Sequence, residues 1–274
     1  MPACTPNRTS LIALLSICGA AAAASIAAAP RASPADPATG YSDRPIGMQP
    51  PSATAPEDSL LLFKDKNFDD RMTQVSDITA SKAPWKAHSL GTSAKHFSSI
   101  RWNLPRGVIV TLYEEDDGLG RTINLWGTGE IAVLKDWKLD NQLSGWSWNY
   151  VGGVTSTSKS VKEALSERPR FAREVETIAA DSMVTFRDRD GKDPMPPIDR
   201  ISDRPANTYH EVPKGTSSLR WNLPEGVIVT FAATTDGVGQ QLAAWGSGQF
   251  DTFAHWKMND KLKFYSWHWL GEKK

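Results

Sequence analysis

The sequence predicts an all-β protein of two tandem β-sandwich domains joined by a short helical linker. Three observations carry this. Residues 98–152 and 217–271 align without a gap at a shift of 119, with 24 identities in 55 positions. Each half then carries one set of turn residues twice. Short alternating or apolar runs bounded by Gly, Asp and Asn fill both halves, with no long amphipathic helix inside either.

In chain order, residues 1–29 read as a secretory signal peptide. Arg8 is the one charged side chain before an apolar run from Leu11 to Ala29, and Ala22, Ala24, Ala27 and Ala29 offer small-residue cleavage positions. The stretch Leu11 to Cys18 is too short to span a bilayer. The chain is therefore expected to be secreted or periplasmic, with no transmembrane segment after processing. Leu15-Ser16-Ile17-Cys18 also resembles a lipobox, so a lipoprotein anchored through Cys18 is the minor alternative; Ile17 stands where a small residue is wanted. Both cysteines, Cys4 and Cys18, lie within this leader. Cleavage after Ala29 leaves a chain without disulfides or thiolate ligands. Residues 30–56 are Pro-, Ala- and Ser-rich with few aliphatic residues, and predict a disordered tether.

The first domain is predicted at 57–152 and the second at 180–271. Each divides into two motifs, with origins at Phe63, Tyr113, Phe186 and Ala232. Four residues on stand Asn67, Asp117, Asp190 and Asp236; five on, Phe68, Gly118, Gly191 and Gly237; seven on, Asp70, Gly120, Asp193 and Gly239. Trp102, Trp148, Trp221 and Trp267 close the four units. Each origin lies at or beside the end of a strand-like run. The Asp-Gly pairs supply the positive φ that a tight strand connection needs, and Asp tolerates that conformation better than most residues. Ile100 and Trp102 alternate with polar neighbours, so both are predicted to face inward. Between the domains, residues 153–179 predict a partly helical linker: 160–165 favours helix, Pro169 interrupts it, and Phe171, Val175 and Ile178 follow at i, i+4, i+7.

This four-motif pattern resembles the βγ-crystallin superfamily. The residues that carry the resemblance are Tyr113 to Gly120, the strands Ser98-Ser99-Ile100-Arg101 and Ser217-Ser218-Leu219-Arg220, and the opening run from Phe63 to Asp70. It covers about 190 residues. Asp70 and Asp193 stand where the family has Gly, and Ala232 where it has an aromatic. The resemblance implies two tandem βγ-crystallin-like Greek-key β-sandwich domains of two motifs each, and a non-enzymatic structural or binding role.

It also implies calcium as the cofactor to look for, bound weakly through domain 1. The family's clamp reads Asn/Asp, Asn/Asp, any, any, Ser/Thr, Ser. Asp140-Asn141-Gln142-Leu143-Ser144-Gly145 departs from it only at Gly145, and the resemblance assigns Asp140, Asn141, Ser144 and Ser98 as metal ligands. Hard oxygens of these types suit calcium. In the other loops Lys95, Lys214 and Lys263 bring cations that repel an ion. The same residues also suit Asx turns and hydroxyl bonds to the backbone. The EF-hand-like string from Asp188 to Asp193 lacks its Gly, its Glu and its flanking helices, and reads as a hairpin turn.

Eleven tryptophans are the other outlying feature. Trp146, Trp148 and Tyr150 recur as Tyr265, Trp267 and Trp269, and predict core packing. Trp126, Trp137, Trp245 and Trp256 sit beside Gly and Lys and are the candidates for an exposed, sugar-stacking surface. Thirty-one Lys and Arg balance 31 Asp and Glu, which argues against nucleic acid as a partner. His88, His96, His210, His255 and His268 are scattered and no catalytic motif is present, so no enzyme is expected. Two readings stand beside a structural one: a secreted inhibitor or toxin-like module, and an envelope glycan binder using exposed Trp. Any partner is expected in the envelope or outside the cell.

Overall fold

The computed structural model describes residues 35–36, 41–84, 86–152, 168–176 and 178–270. The predicted signal peptide and the helix-favouring stretch 160–165 lie outside them. Two short strands, β1 (Ala35–Asp36) and β2 (Tyr41–Ser42), come first. Domain 1 follows with β3 (Ser59–Phe63), β4 (Arg71–Val75), β5 (His88–Ser89), β6 (Ser99–Asn103), β7 (Val108–Tyr113), β8 (Thr122–Trp126), β9 (Thr128–Ile131) and β10 (Gly145–Tyr150). A single turn of helix, α1 (Ile78–Ser81), separates β4 from β5. Domain 2 has β11 (Ser182–Phe186), β12 (Ile198–Asp199), β13 (His210–Glu211), β14 (Ser218–Asn222), β15 (Val227–Ala232), β16 (Gln241–Trp245), β17 (Ser247–Phe250) and β18 (Phe264–Trp269).

The sheets explain why the motifs come in pairs. Domain 1 stacks β4-β3-β6-β9 on β5-β10-β7-β8. Each motif gives its third strand to its partner's sheet: β5 pairs with β10, and β9 with β6. Domain 2 repeats the exchange, with β13 on β18 and β17 on β14. Neither motif can complete a sheet alone.

Turn chemistry sits where it is predicted. Asp70, Gly120, Asp193 and Gly239 all have positive φ, as do Phe68, Gly118, Gly191 and Gly237. The Asp188 to Asp193 string is one of these hairpins, its Asp188 carbonyl accepting from Ser218 Oγ at 2.6 Å. The indoles point inward: Trp102, Trp148, Trp221 and Trp267 are all buried. Trp102 Nε1 donates to the Trp126 carbonyl and Trp221 Nε1 to that of Trp245, both at 3.0 Å, so burial leaves neither of these donors unpaired. Each such side chain removes on the order of 150–250 Å² from water, which is how domains of this size hold together without disulfides.

Two segments differ from their predicted state, and they turn out to be copies of each other. Residues 41–56 form an ordered strap, not a disordered tether. Gln49 bridges Glu130 on β9 in antiparallel fashion, and Ile46, Met48 and Ala55 are buried. The segment carries little apolar surface, but it completes a sheet edge and inserts what it has into an existing core. Residues 168–176 are likewise not helical. Arg173 bridges Gln249 on β17, Phe171 has φ 67° and is 44 % exposed, and so the i, i+4, i+7 spacing makes no common face. Arg44-Pro45-Ile46-Gly47-Met48-Gln49 thus corresponds to Arg168-Pro169-Arg170-Phe171-Ala172-Arg173. Met48 N–H donates to the Pro45 carbonyl (3.3 Å) as Ala172 N–H does to Pro169 (3.1 Å). Further on, Asn103 Nδ2 reaches the Ala55 carbonyl as Asn222 Nδ2 reaches Ile178.

The domains meet in a seam with approximate two-fold symmetry. Ile109, Trp126 and Val151 pack against Ile228, Ala243, Trp245 and Leu270, and Ile109/Ile228, Trp126/Trp245 and Val151/Leu270 are repeat equivalents. Both straps brace the seam. Gly47 lies so close to Asp236 and Gly237 that a Cβ there would stand 2.7 Å from the Asp236 carbonyl oxygen, while the Phe171 ring covers Gly118. Each strap therefore seals its own domain's edge and presses on the Asp-Gly turn of the other.

Candidate functional site

The candidate site is a pair of loops at one end of domain 1. One connects β5 to β6 and holds Ser98; the other connects β9 to β10 and holds Asp140, Asn141 and Ser144. The loops cross through their backbones. Asn141 N–H donates to the Phe97 carbonyl (2.9 Å), Lys95 N–H to Leu143 (2.8 Å) and Leu90 N–H to Ser144 (2.8 Å). Asn141 and Lys95 both need positive φ for this, 52° and 62°. Asn is among the residues that tolerate it, which gives the second clamp position a structural use as well.

Ser98 and Ser144 are buried and Asn141 is exposed. Asp140 Oδ1 and Ser144 Oγ are buried without a hydrogen-bond partner. Two orphaned oxygens in one loop, four residues apart, fit the donor set of a hard cation. Among the described residues no group of three His, Cys, Asp or Glu side chains converges on a metal position, so carboxylates alone do not build this site.

The same loops in domain 2 have different chemistry. Asn259 Oδ1 is also buried and unpartnered, and Asp260 keeps the positive φ of Asn141. Lys263, however, stands in the place of Ser144, and with Lys214 it lines a cavity of about 240 Å³ beside Asp260 and Phe264. Two ammonium groups at that opening oppose a cation.

The sugar-stacking candidates are not exposed. Trp126, Trp137, Trp245 and Trp256 are at most 3 % accessible. Trp126 and Trp245 are buried by the opposite domain, and Trp256 lies under Phe171 at 6.2 Å between ring centroids. The glycan reading that rested on these four is withdrawn.

Two histidines do recur, at a spacing the 119-residue alignment hides. His88 Nε2 lies 2.9 Å from the Ala83 carbonyl and stacks on Trp146 at 4.7 Å. His210 Nε2 lies 3.1 Å from that of Pro205 and stacks on Tyr265 at 5.2 Å. The shift here is 122, because the β5–β6 loop is three residues longer than its counterpart. His268 is fully buried in the seam. Its Nδ1–H donates to Asn207 Oδ1 (2.6 Å), and its Nε2 accepts from Ser266 Oγ (2.8 Å). Burial drives its pKa down to about 3. An imidazole with both nitrogens engaged and no opening to solvent is a structural group.

The chain matches no protein-family model and no curated protein. Among solved structures it is similar to a βγ-crystallin domain studied for the evolution of the eye-lens fold (16 % identity, 36 % of this chain and 93 % of that one, TM-score 0.28). It is also similar to calcium-complexed Protein S (17 %, 76 % and 98 %, 0.26) and to Geodin, a βγ-crystallin from Geodia cydonium (10 %, 76 % and 97 %, 0.24). Among the described residues no helix is long and apolar enough to cross a membrane. Paired motifs that exchange their third strands, folded hairpins with positive φ at fixed offsets, and inward tryptophans together give this chain two βγ-crystallin-like Greek-key domains in tandem.

Proposed function

We propose that this is an exported, non-enzymatic structural or binding protein whose first domain binds calcium weakly through Asp140, Asn141, Ser144 and Ser98. The observation that carries the metal assignment is the pair of buried, unpartnered oxygens, Asp140 Oδ1 and Ser144 Oγ, in a loop already crossed with the Ser98 loop. A bound calcium ion would neutralise the Asp140 carboxylate and tie the two loops together. The chain's own part is to hold those loops in register, through the Asn141–Phe97 and Lys95–Leu143 backbone bonds. Domain 2, with Lys263 in the place of Ser144, is assigned no ion.

Thermal melting across a calcium titration tests this. An ion that binds only the native state stabilises it by about 2.7 kcal/mol at a hundred times Kd. The midpoint should rise at millimolar calcium, stay put with magnesium, and lose its response in Asp140→Ala. An unchanged midpoint at millimolar calcium removes the metal assignment and leaves a purely structural role. N-terminal sequencing of material recovered outside the cytoplasm tests export; the expected new terminus follows Ala29.

A further inference from the structure

The lateral edges of the two sandwiches are treated unequally. Straps cover β9 and β17. The opposite edge of domain 2 is closed by composition: β12 is two residues long, and Pro194, Pro196 and Pro197 precede it, removing three backbone donors. The equivalent edge of domain 1 has none of these devices. There β4 runs five residues, Arg71-Met72-Thr73-Gln74-Val75, contains no Pro, and pairs with β3 on one side among the described residues. Met72 on this strand is 37 % exposed, one of two large apolar side chains so exposed among the described residues.

Beside that edge lies a groove of about 500 Å³ between β4 and β5. Thr73, Gln74 and Ser76 line one wall; Lys82, His88 and Ser89 line the other. Its ionisable groups, Lys82 and His88, are basic, and no carboxylate among the described residues lines it. Strand order puts β4 and β5 on the side of domain 1 away from β8 and β9, so the groove is reachable without opening the seam.

We propose that the β4 edge and its groove bind an extended, acidic peptide segment of another protein as an added strand. The edge supplies main-chain donors and acceptors to any extended backbone, and alternate side chains of the incoming strand fall into the groove. Lys82 selects for carboxylates. Nothing in this assignment depends on calcium.

The probe is an acetylated, amidated nonapeptide alternating threonine and glutamate, with a twin carrying lysine for glutamate. Amide hydrogen exchange of the full chain and fluorescence anisotropy of labelled peptide are the readouts. Exchange at the amides of residues 71–76 that point away from β3 should be fast in the free chain and slow with the acidic peptide, while residues 194–199 stay unchanged. Lys82→Glu, an exposed position, should fold normally and weaken binding about fivefold. No binding at millimolar peptide, equal binding of the lysine twin, or protection elsewhere would overturn the proposal. So would slow exchange at those outward amides before peptide is added, which means the chain covers its own edge. Concentration-dependent protection without peptide, matched by dimer in sedimentation, would assign the edge to a second copy instead.

Discussion

Domain 1 and domain 2 share the exchange of third strands, the same hairpin geometry and the same indole-to-carbonyl bond, yet their non-core positions have parted. Where domain 1 places Ser144, domain 2 has Lys263; where domain 1 buries Asn149 in the seam, domain 2 buries His268; where β4 is long and bare, β12 is short and preceded by prolines. Glu114, held by Arg121 and by Lys257 of the other domain, is replaced by Ala233 at the repeat position. Positions that close the sandwich admit few side chains, because packing and strand exchange over-determine them. Loops, edges and one row of the seam are free to differ, and those are the places where any specific role of this protein has room to reside.

The largest test of the equivalence is at the closing tryptophans. Trp102→Ala and Trp221→Ala should each cost about 3–5 kcal/mol in denaturant unfolding of the whole chain. A cost in one and not the other would break the claim that the two cores are built alike. Next come the glycines packed beneath those rings. A Cβ at Gly129 would stand 2.4 Å from Trp102 Cζ2, and one at Gly248 3.1 Å from Trp221 Cζ2. Gly129→Ala is therefore expected to cost about 1–3 kcal/mol and Gly248→Ala clearly less; equal losses would mean that the two rings have the same room.

The seam gives a pH test. His268 stays neutral in the fold down to about 3, against an ordinary value of 6.5, because burial penalises its charge. As pH falls the unfolded chain takes up this proton first. Its contribution is complete above 6.5 and drains away between there and about 3, with a slope of at most about 1.4 kcal/mol per pH unit. His268→Asn, which installs domain 1's residue, should flatten that slope in equilibrium unfolding at several pH values. An unchanged slope would place the titration elsewhere.

The smallest effect is at Glu114. Burial by itself would raise its carboxyl pKa, but the Lys257 ammonium and the Arg121 N–H and guanidinium outweigh that and hold it below the usual range. Its contribution is present above the ordinary value of 4.5 and lost as the pH falls through the lowered one. With Lys257 45 % exposed, Glu114→Gln should cost less than about 1 kcal/mol, and addition of salt should shrink the difference further.

The hairpins were legible because positive φ leaves a signature of Gly, Asp and Asn at fixed offsets. The cores were legible because strand alternation marks Ile100 and Trp102 for one face. The straps were not. Their repeat is shifted by 124 residues, not 119, their contacts are mostly backbone, and a Pro-rich stretch with few aliphatics looks identical whether it is solvated or laid along a sheet edge. Trp126 and Trp245 were misjudged for a related reason: what buries them belongs to the other domain, and no local pattern records a neighbour 119 residues away. The clamp residues could be found by motif, but the orphaning of Asp140 Oδ1 and Ser144 Oγ needed the folded loop.

The first strap reaches across to Gly237 before it settles on its own domain, so the two halves are connected in more places than the peptide that joins them. A chain nicked anywhere in residues 153–167 would still have its leading segment caught between both halves, and should migrate as one particle until denatured. Two separately expressed fragments divided there should likewise find each other, with the strap at the start of the first acting as the splice.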